Sequence, residues 1–329
     1  MYINQIFELS MVLDNEKFRK VLNRVYDKVV YLDENEDKYI DNSLVSKGIS
    51  IIYRDSQYKK KVKVVVSSGM LLDEDSPNPD KFVQRLDKRI SEYFDYKYRM
   101  EDFTLSEMIL SADIDVRNRE NVAAYLKVFK KIGKVKGFSP SRYEDFDDIG
   151  SFCLDGNSNG TEFLIYDLEN YVAQRLRETN IKRKRLKSAI RESEGILRAE
   201  VRLTKPKTIR DYTDANDVSE QIMELSGKCW DIFLEIFAQV IPFGDYYKKD
   251  KADELIRSRV KDSTLRRKML RLVTFIPEKK SLYLAQKALN CRNMDKVMKA
   301  FVKINVSPVT ISKRQNAKQL ENIYEYMYV

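Results

Sequence analysis

The stretch that most restricts what this chain can fold into is Gly195 to Pro206, GILRAEVRLTKP, read with Asn159 to Asn170, NGTEFLIYDLEN, just before it. In the first of these, Leu197, Ala199, Val201 and Leu203 fall on one side, and Arg198, Glu200 and Arg202 on the other. A period of two belongs to a half-buried strand, because successive side chains of a strand point to opposite faces of its sheet. The polar side carries one carboxylate between two guanidiniums, a set that suits a site handling phosphate or metal. It would serve equally as a surface ladder of cross-strand ion pairs.

The rest of the chain supplies the sheet. Ile3 to Leu13 alternates and predicts a strand, after which Asp14 caps a helix running to Tyr31. Asp33 to Asn42 predicts an acidic loop. Lys47 to Arg54 and Lys61 to Ser68 predict two strands around DSQYKK, Lys81 to Phe94 a helix, Leu110 to Arg117 a strand, and Asn118 to Ile132 a helix. The order β-α-β-β-α-β-α implies an α+β fold, a ferredoxin-like, mainly antiparallel sheet with helices on one face. Ser151 to Leu154 and Thr161 to Asp167 then form a hairpin around DGNSNG. After Thr204 the pattern turns helical. Val218 to Val240 is strongly apolar, Pro242 and Gly244 break it, and a string of short helices follows. The expected division is an α+β domain over residues 1–206 and an all-α domain over residues 207–329.

Composition narrows the chemistry. The chain has 329 residues, a formal net charge of +9 and no histidine. A basic excess fits a polyanionic partner. The lack of histidine removes the commonest general base and metal ligand, leaving carboxylates, Tyr, Lys and Arg. Cys153, Cys229 and Cys291 are far apart, with no zinc spacing, and read as reduced thiols of a cytoplasmic protein. No stretch approaches the roughly 20 apolar residues of a membrane span, so no membrane partner is expected.

Four constellations could carry function. In SADIDV, Asp113 and Asp115 share one face, about 7 Å apart at the backbone. Two such carboxylates, with Glu200 if its strand is a neighbour, could converge on Mg²⁺ or Mn²⁺, or could be acids on a solvated face. Arg198 and Arg202 would then neutralise charge on a phosphate. Tyr166, in LIYDLEN, is the tyrosine best placed for nucleophilic attack on a phosphodiester, and equally a strand aromatic packed in a core. Lys182, Arg183, Lys184, Arg185 and Lys187 form a basic run suited to phosphates, or to an exposed helix. Near the C-terminus, within residues 294–326, a helix ends around Lys303. Ser307 then caps a second helix with Pro308 at its first position. That is the layout of a helix-turn-helix, with Ser307, Thr310, Ser312, Lys313 and Arg314 facing duplex DNA, or of an ordinary α-hairpin.

Taken together, SADIDV, SFCLDGNSNGTEFLIYDLEN, the basic spacer and ILRAEVRL resemble the phage and plasmid rolling-circle replication initiators. The most similar types are the filamentous-phage gene II proteins and the staphylococcal plasmid initiators. The resemblance spans roughly residues 60–206. It implies a divergent nicking–joining domain of the HUH-endonuclease kind, which cuts one strand at an origin with a metal and a tyrosine and later rejoins it. It implies Asp113 and Glu200 as the acidic positions of the two strand motifs, with Asp115 beside the first, and Tyr166 as the hairpin tyrosine. Single- and double-stranded origin DNA would be the partners, with host replication proteins after them. Cys153 stands where relatives carry a tyrosine, so Tyr143 and Tyr166 remain as alternatives. A non-catalytic DNA-binding regulator is the other reading.

Overall fold

The strand at the centre of the sequence reading is also near the centre of the sheet. The structure is a computed structural model and describes residues 2–33, 37–143, 146, 149–156, 159–177 and 183–327. Its first part runs β1 (Asn4–Leu13), α1 (Asn15–Val25), β2 (Val29–Asp33), β3 (Lys38–Asp41), β4 (Ile49–Asp55), β5 (Lys60–Ser67), α2 (Ser68–Leu72), α3 (Pro79–Tyr93), β6 (Thr104–Asp115), α4 (Arg119–Phe129), β7 (Ser139–Pro140), β8 (Ser151–Asp155), β9 (Thr161–Asp167), α5 (Leu168–Arg177), α6 (Arg183–Glu192) and β10 (Ile196–Leu203). Among the described residues these ten strands form one sheet, in the order β2-β3-β4-β5-β1-β6-β10-β9-β8-β7. Every neighbouring pair is antiparallel.

The expected strand at Leu110 begins six residues earlier, at Thr104, and the helix that Asp14 caps stops at Val25. Asp14 does accept from the Lys17 backbone N–H, at 2.8 Å. Beyond Val25 the β-branched pair Val29-Val30 favours extended backbone and finds a partner in β3, inside the segment expected to be an acidic loop.

Alternation sorts the two faces. On the core side lie Phe7, Tyr53, Val64, Leu110, Phe163 and Val201, all essentially buried. The helices α1, α3 and α4 cover this side, Phe18 meeting Tyr53 at 6.3 Å between ring centroids and Phe82 meeting Phe7 at 5.6 Å.

The second part continues α7 (Pro206–Arg210), α8 (Val218–Gly227), α9 (Cys229–Val240), β11 (Tyr246–Tyr247), α10 (Lys249–Arg259), α11 (Ser263–Lys279), α12 (Leu282–Leu289), α13 (Met294–Lys303) and β12 (Gln319–Leu320). Helices α8 and α9 pack on the same core side, with Phe237 of α9 at 5.7 Å from Phe163 of β9. One apolar cluster therefore runs from Ile3 to Met327. The change of composition near residue 206 marks a change from strand to helix within that cluster.

Two expectations are corrected. Helices do not keep to one face: α5 crosses to the open side of the sheet, where Phe146, Leu168 and Tyr171 make a second, smaller apolar cluster over Cys153, Leu164 and Tyr166. The helix-turn-helix is also absent from the described residues. After α13 the chain turns through Asn305, at φ +48°, and does not start a second helix. The Ser307 and Ile311 backbone N–H groups bond to the carbonyls of Asp245 and Tyr247, at 2.8 and 2.9 Å. The Ile311 bond takes the donor that would have closed the first turn of a helix capped by Ser307, and the Ser307 bond ties the start of the segment to Asp245. Ser307 and Thr310 are consequently buried, and only Lys313 and Arg314 of the five expected contact residues are fully exposed.

Candidate functional site

The register brings the predicted charges onto one face. Arg198 pairs across with Asp113 of β6 on one side and with Tyr166 of β9 on the other. Arg202 stands opposite Glu162. The period-two pattern of β10 therefore builds a charged row across three neighbouring strands.

The row divides into a closed half and an open half. In the closed half, Glu200 is only 8% exposed and accepts from the Tyr166 hydroxyl at 2.5 Å and from Arg202 Nε and Nη2 at 3.0 and 2.7 Å. Tyr166 is 1% exposed, roofed by the rings of Phe146 at 4.8 Å and Tyr171 at 5.1 Å. Burial, and then the Glu200 charge, push its hydroxyl far above the usual tyrosine range. A phenol that is buried, strongly protonated and already donating to a carboxylate is poorly placed to attack phosphorus. The Arg202 guanidinium lies 5.7 Å from the Phe146 ring centroid and is committed to Glu200. Nearby, burial raises Glu162 and Glu107, so both acids favour the folded state more at low pH than at neutral pH.

In the open half, Arg198 grips Asp113 with two parallel bonds, Nε to Oδ1 at 2.6 Å and Nη2 to Oδ2 at 2.7 Å. The pair forms one wall of a pocket of about 500 Å³, with Ser111 and Asp115 further along β6 and Asn4 on β1. Its rim holds Arg117, Tyr2 and Tyr326. The Tyr326 hydroxyl donates to Glu321 Oε2 at 2.7 Å. Arg117 Nη2 binds the same oxygen at 3.1 Å, and its guanidinium lies 5.4 Å from the Tyr326 ring centroid. Tyr2 is 51% exposed at the mouth. Partial burial raises the hydroxyls of both tyrosines, with Asp75 adding to the effect at Tyr2 and Glu321 at Tyr326.

The three proposed metal ligands do not converge. Asp113 is clamped by Arg198, Asp115 Oδ1 accepts from the Arg117 backbone N–H at 2.7 Å, and Glu200 faces Tyr166 and Arg202 in the closed half. Among the described residues no group of three or more acidic, cysteine or histidine side chains is placed to hold an ion. Mg²⁺ or Mn²⁺ does not fit this trio as it is arranged.

Lys182 lies outside the described residues. Arg183, Lys184, Arg185 and Lys187 belong to α6, which packs against α5. Tyr326, Glu321 and Arg117 carry no sequence signal as a set, since Glu321 reaches Arg117 across 204 residues of chain. Arg117 had a local cue, following Asp115 at the end of its strand; Tyr326 had none.

No protein-family model, no curated protein and no solved structure matches this chain.

Proposed function

We propose that this chain is a replication-initiation protein of a phage, plasmid or mobile element, which binds origin DNA and cuts and rejoins one strand at the Asp113–Arg198 pocket. The carrying observation is that pocket: two arginines, two aspartates and two accessible tyrosines meet at one end of the central strands. The strand order β4-β5-β1-β6, with α1 and α3 as the crossing helices, supports the ferredoxin-like reading, because it is the order of a split βαβ unit. Arg198 spends two of its five donors on Asp113, which leaves others for a phosphate oxygen, and Arg117 adds a second cation.

Tyr326 and Tyr2 replace Tyr166 as the proposed nucleophiles. At Tyr326, Glu321 would accept the phenol proton while the oxygen attacks phosphorus. The P–O3′ bond breaks, the 3′ oxygen leaves and takes a proton from water, and the 5′ phosphate stays on the tyrosine. Attack by a 3′ hydroxyl reverses the step and rejoins the strand. The experiment is incubation with a pool of labelled single strands of random sequence, with a divalent cation or with a chelator in its place. The expected product is a denaturant-resistant protein–DNA adduct, lost in Tyr326→Phe or in Tyr2→Phe and kept in Tyr166→Phe.

The second reading, a DNA-binding regulator without catalysis, is favoured by the burial of Tyr166. Strand binding with no adduct in the unmodified protein would select it.

A further inference from the structure

At the far end of α4 from the pocket, two lysine-rich segments are locked side by side. The first is KKIGKVKG, residues 130–137, and the second runs from Lys279 at the end of α11 into α12. Two backbone hydrogen bonds join them, Leu282 N–H to Ile132 O at 2.8 Å and Tyr283 N–H to Lys134 O at 3.1 Å, and the Ser281 hydroxyl adds a third, to Lys134 O at 2.9 Å. Gly133, at φ +56°, permits the approach, since a Cβ there would stand 2.3 Å from the Lys280 carbonyl oxygen.

It gathers cations around one aromatic ring. Lys130, Lys134, Lys136, Lys279, Lys280 and Lys287 are exposed, and among the described residues none forms an ion pair within 4.0 Å. Tyr283 is half-buried beside them, with Lys287 Nζ at 4.6 Å from its ring centroid and Lys134 Nζ at 5.9 Å. The cations act on the ring's hydroxyl: Lys287, with Lys134 and Lys136 behind it, lowers the Tyr283 phenol below the usual tyrosine range. Lys131 is not part of this surface, because it is half-buried and donates to the Thr310 carbonyl at 2.5 Å.

We propose that this Lys134–Lys136–Tyr283–Lys287 surface is a docking site for single-stranded nucleic acid, in which the ammoniums hold backbone phosphates and the Tyr283 ring stacks a base. Unpaired lysines alone would suit any polyanion. An aromatic ring set among them is what suits a strand with unstacked bases, since stacking is tolerant of sequence and phosphate contact is electrostatic. The site shares with the reading above only the nature of the partner. Helix α4 separates the two, its 11 residues spanning roughly 16 Å at 1.5 Å per residue. One strand could thus contact both.

The test is fluorescence anisotropy of a labelled oligothymidine and of a duplex of equal length, across a salt series. The variants are Lys134→Ala/Lys136→Ala/Lys287→Ala, Tyr283→Ala and Arg117→Ala/Arg198→Ala, each checked for an unchanged thermal melt. The lysine variant should weaken single-strand binding and lower the log–log salt slope by about two, at roughly 0.7 per phosphate contact. Tyr283→Ala should weaken single-strand binding at least about fivefold with the slope retained, and leave the duplex unaffected. Unchanged affinity and slope in the lysine variant would overturn the site. A silent Tyr283→Ala, or a preference for phosphatidylserine vesicles over oligonucleotide, would overturn its assignment to single strands. Binding lost only in the Arg117/Arg198 variant removes this site and leaves the pocket reading standing; binding lost only in the lysine variant does the reverse.

Discussion

The Tyr166 hydroxyl and the Glu200 carboxylate share a short hydrogen bond beneath Phe146 and Tyr171, and removing it should be felt in stability before function. Tyr166→Phe keeps the ring and its packing but leaves a nearly buried carboxylate with Arg202 as its remaining partner. A buried charged acceptor that loses a donor costs about 1–3 kcal/mol. Urea unfolding should show that loss as a lower midpoint at an unchanged slope, while single-strand binding stays as in the unmodified protein. A variant of full stability would mean that the bond contributes nothing. Alternation alone placed Arg198, Glu200 and Arg202 on one face, because side-chain direction in a strand is a local property. It could not say which would be covered. That depended on Phe146 and α5 folding over one half of the row, contacts made by residues with no period of their own.

At the scale of elements, the segment after α13 shows how tertiary hydrogen bonds override a local signal. Ser307-Pro308 has the composition of a helix start, yet the Ser307 and Ile311 N–H groups that flank it bond to the carbonyls of Asp245 and Tyr247. Gly244 makes this possible: at φ +113°, a Cβ would stand 2.6 Å from the Val306 carbonyl carbon and 2.8 Å from the Ser307 nitrogen. Gly244→Ala should therefore lower the melting temperature through both backbone strain, about 1–3 kcal/mol, and a backbone clash. Gly137→Ala supplies the comparison, since Gly137 sits at φ +87° with nothing within 4 Å of its Cβ position. Differential scanning calorimetry should find the Gly244 variant clearly the less stable of the two; equal losses would remove the clash from the account. The same logic explains which elements were legible. The strand at β1, the hairpin β8–β9 and the cap at Asp14 are written in short-range patterns. β2 and β3 were hidden because their pairing, with each other and with β4, depends on partners the local sequence does not name.

For the whole molecule, the question is whether the sheet can stand without the helices that follow it. The composition suggests a cut after residue 206. The packing argues against one. Phe237 and its neighbours on α9 lie on the core face at β6, β9 and β10, and α8 lies against α3. The end of the chain returns as well: Tyr125 of α4 donates to the Glu321 carbonyl at 2.7 Å. A chain of residues 1–206 would therefore expose Phe163 and the apolar positions around it to water, at about 25 cal/mol for each Å² uncovered. It would also lose Tyr326 and Glu321 from the pocket rim. Expressed alone, this fragment should bind a hydrophobic dye, keep far-ultraviolet but lose near-ultraviolet circular dichroism, and melt without a cooperative transition. A fragment that unfolds cooperatively, with native aromatic dichroism, would show two self-sufficient domains and return the boundary to where the sequence alone places it.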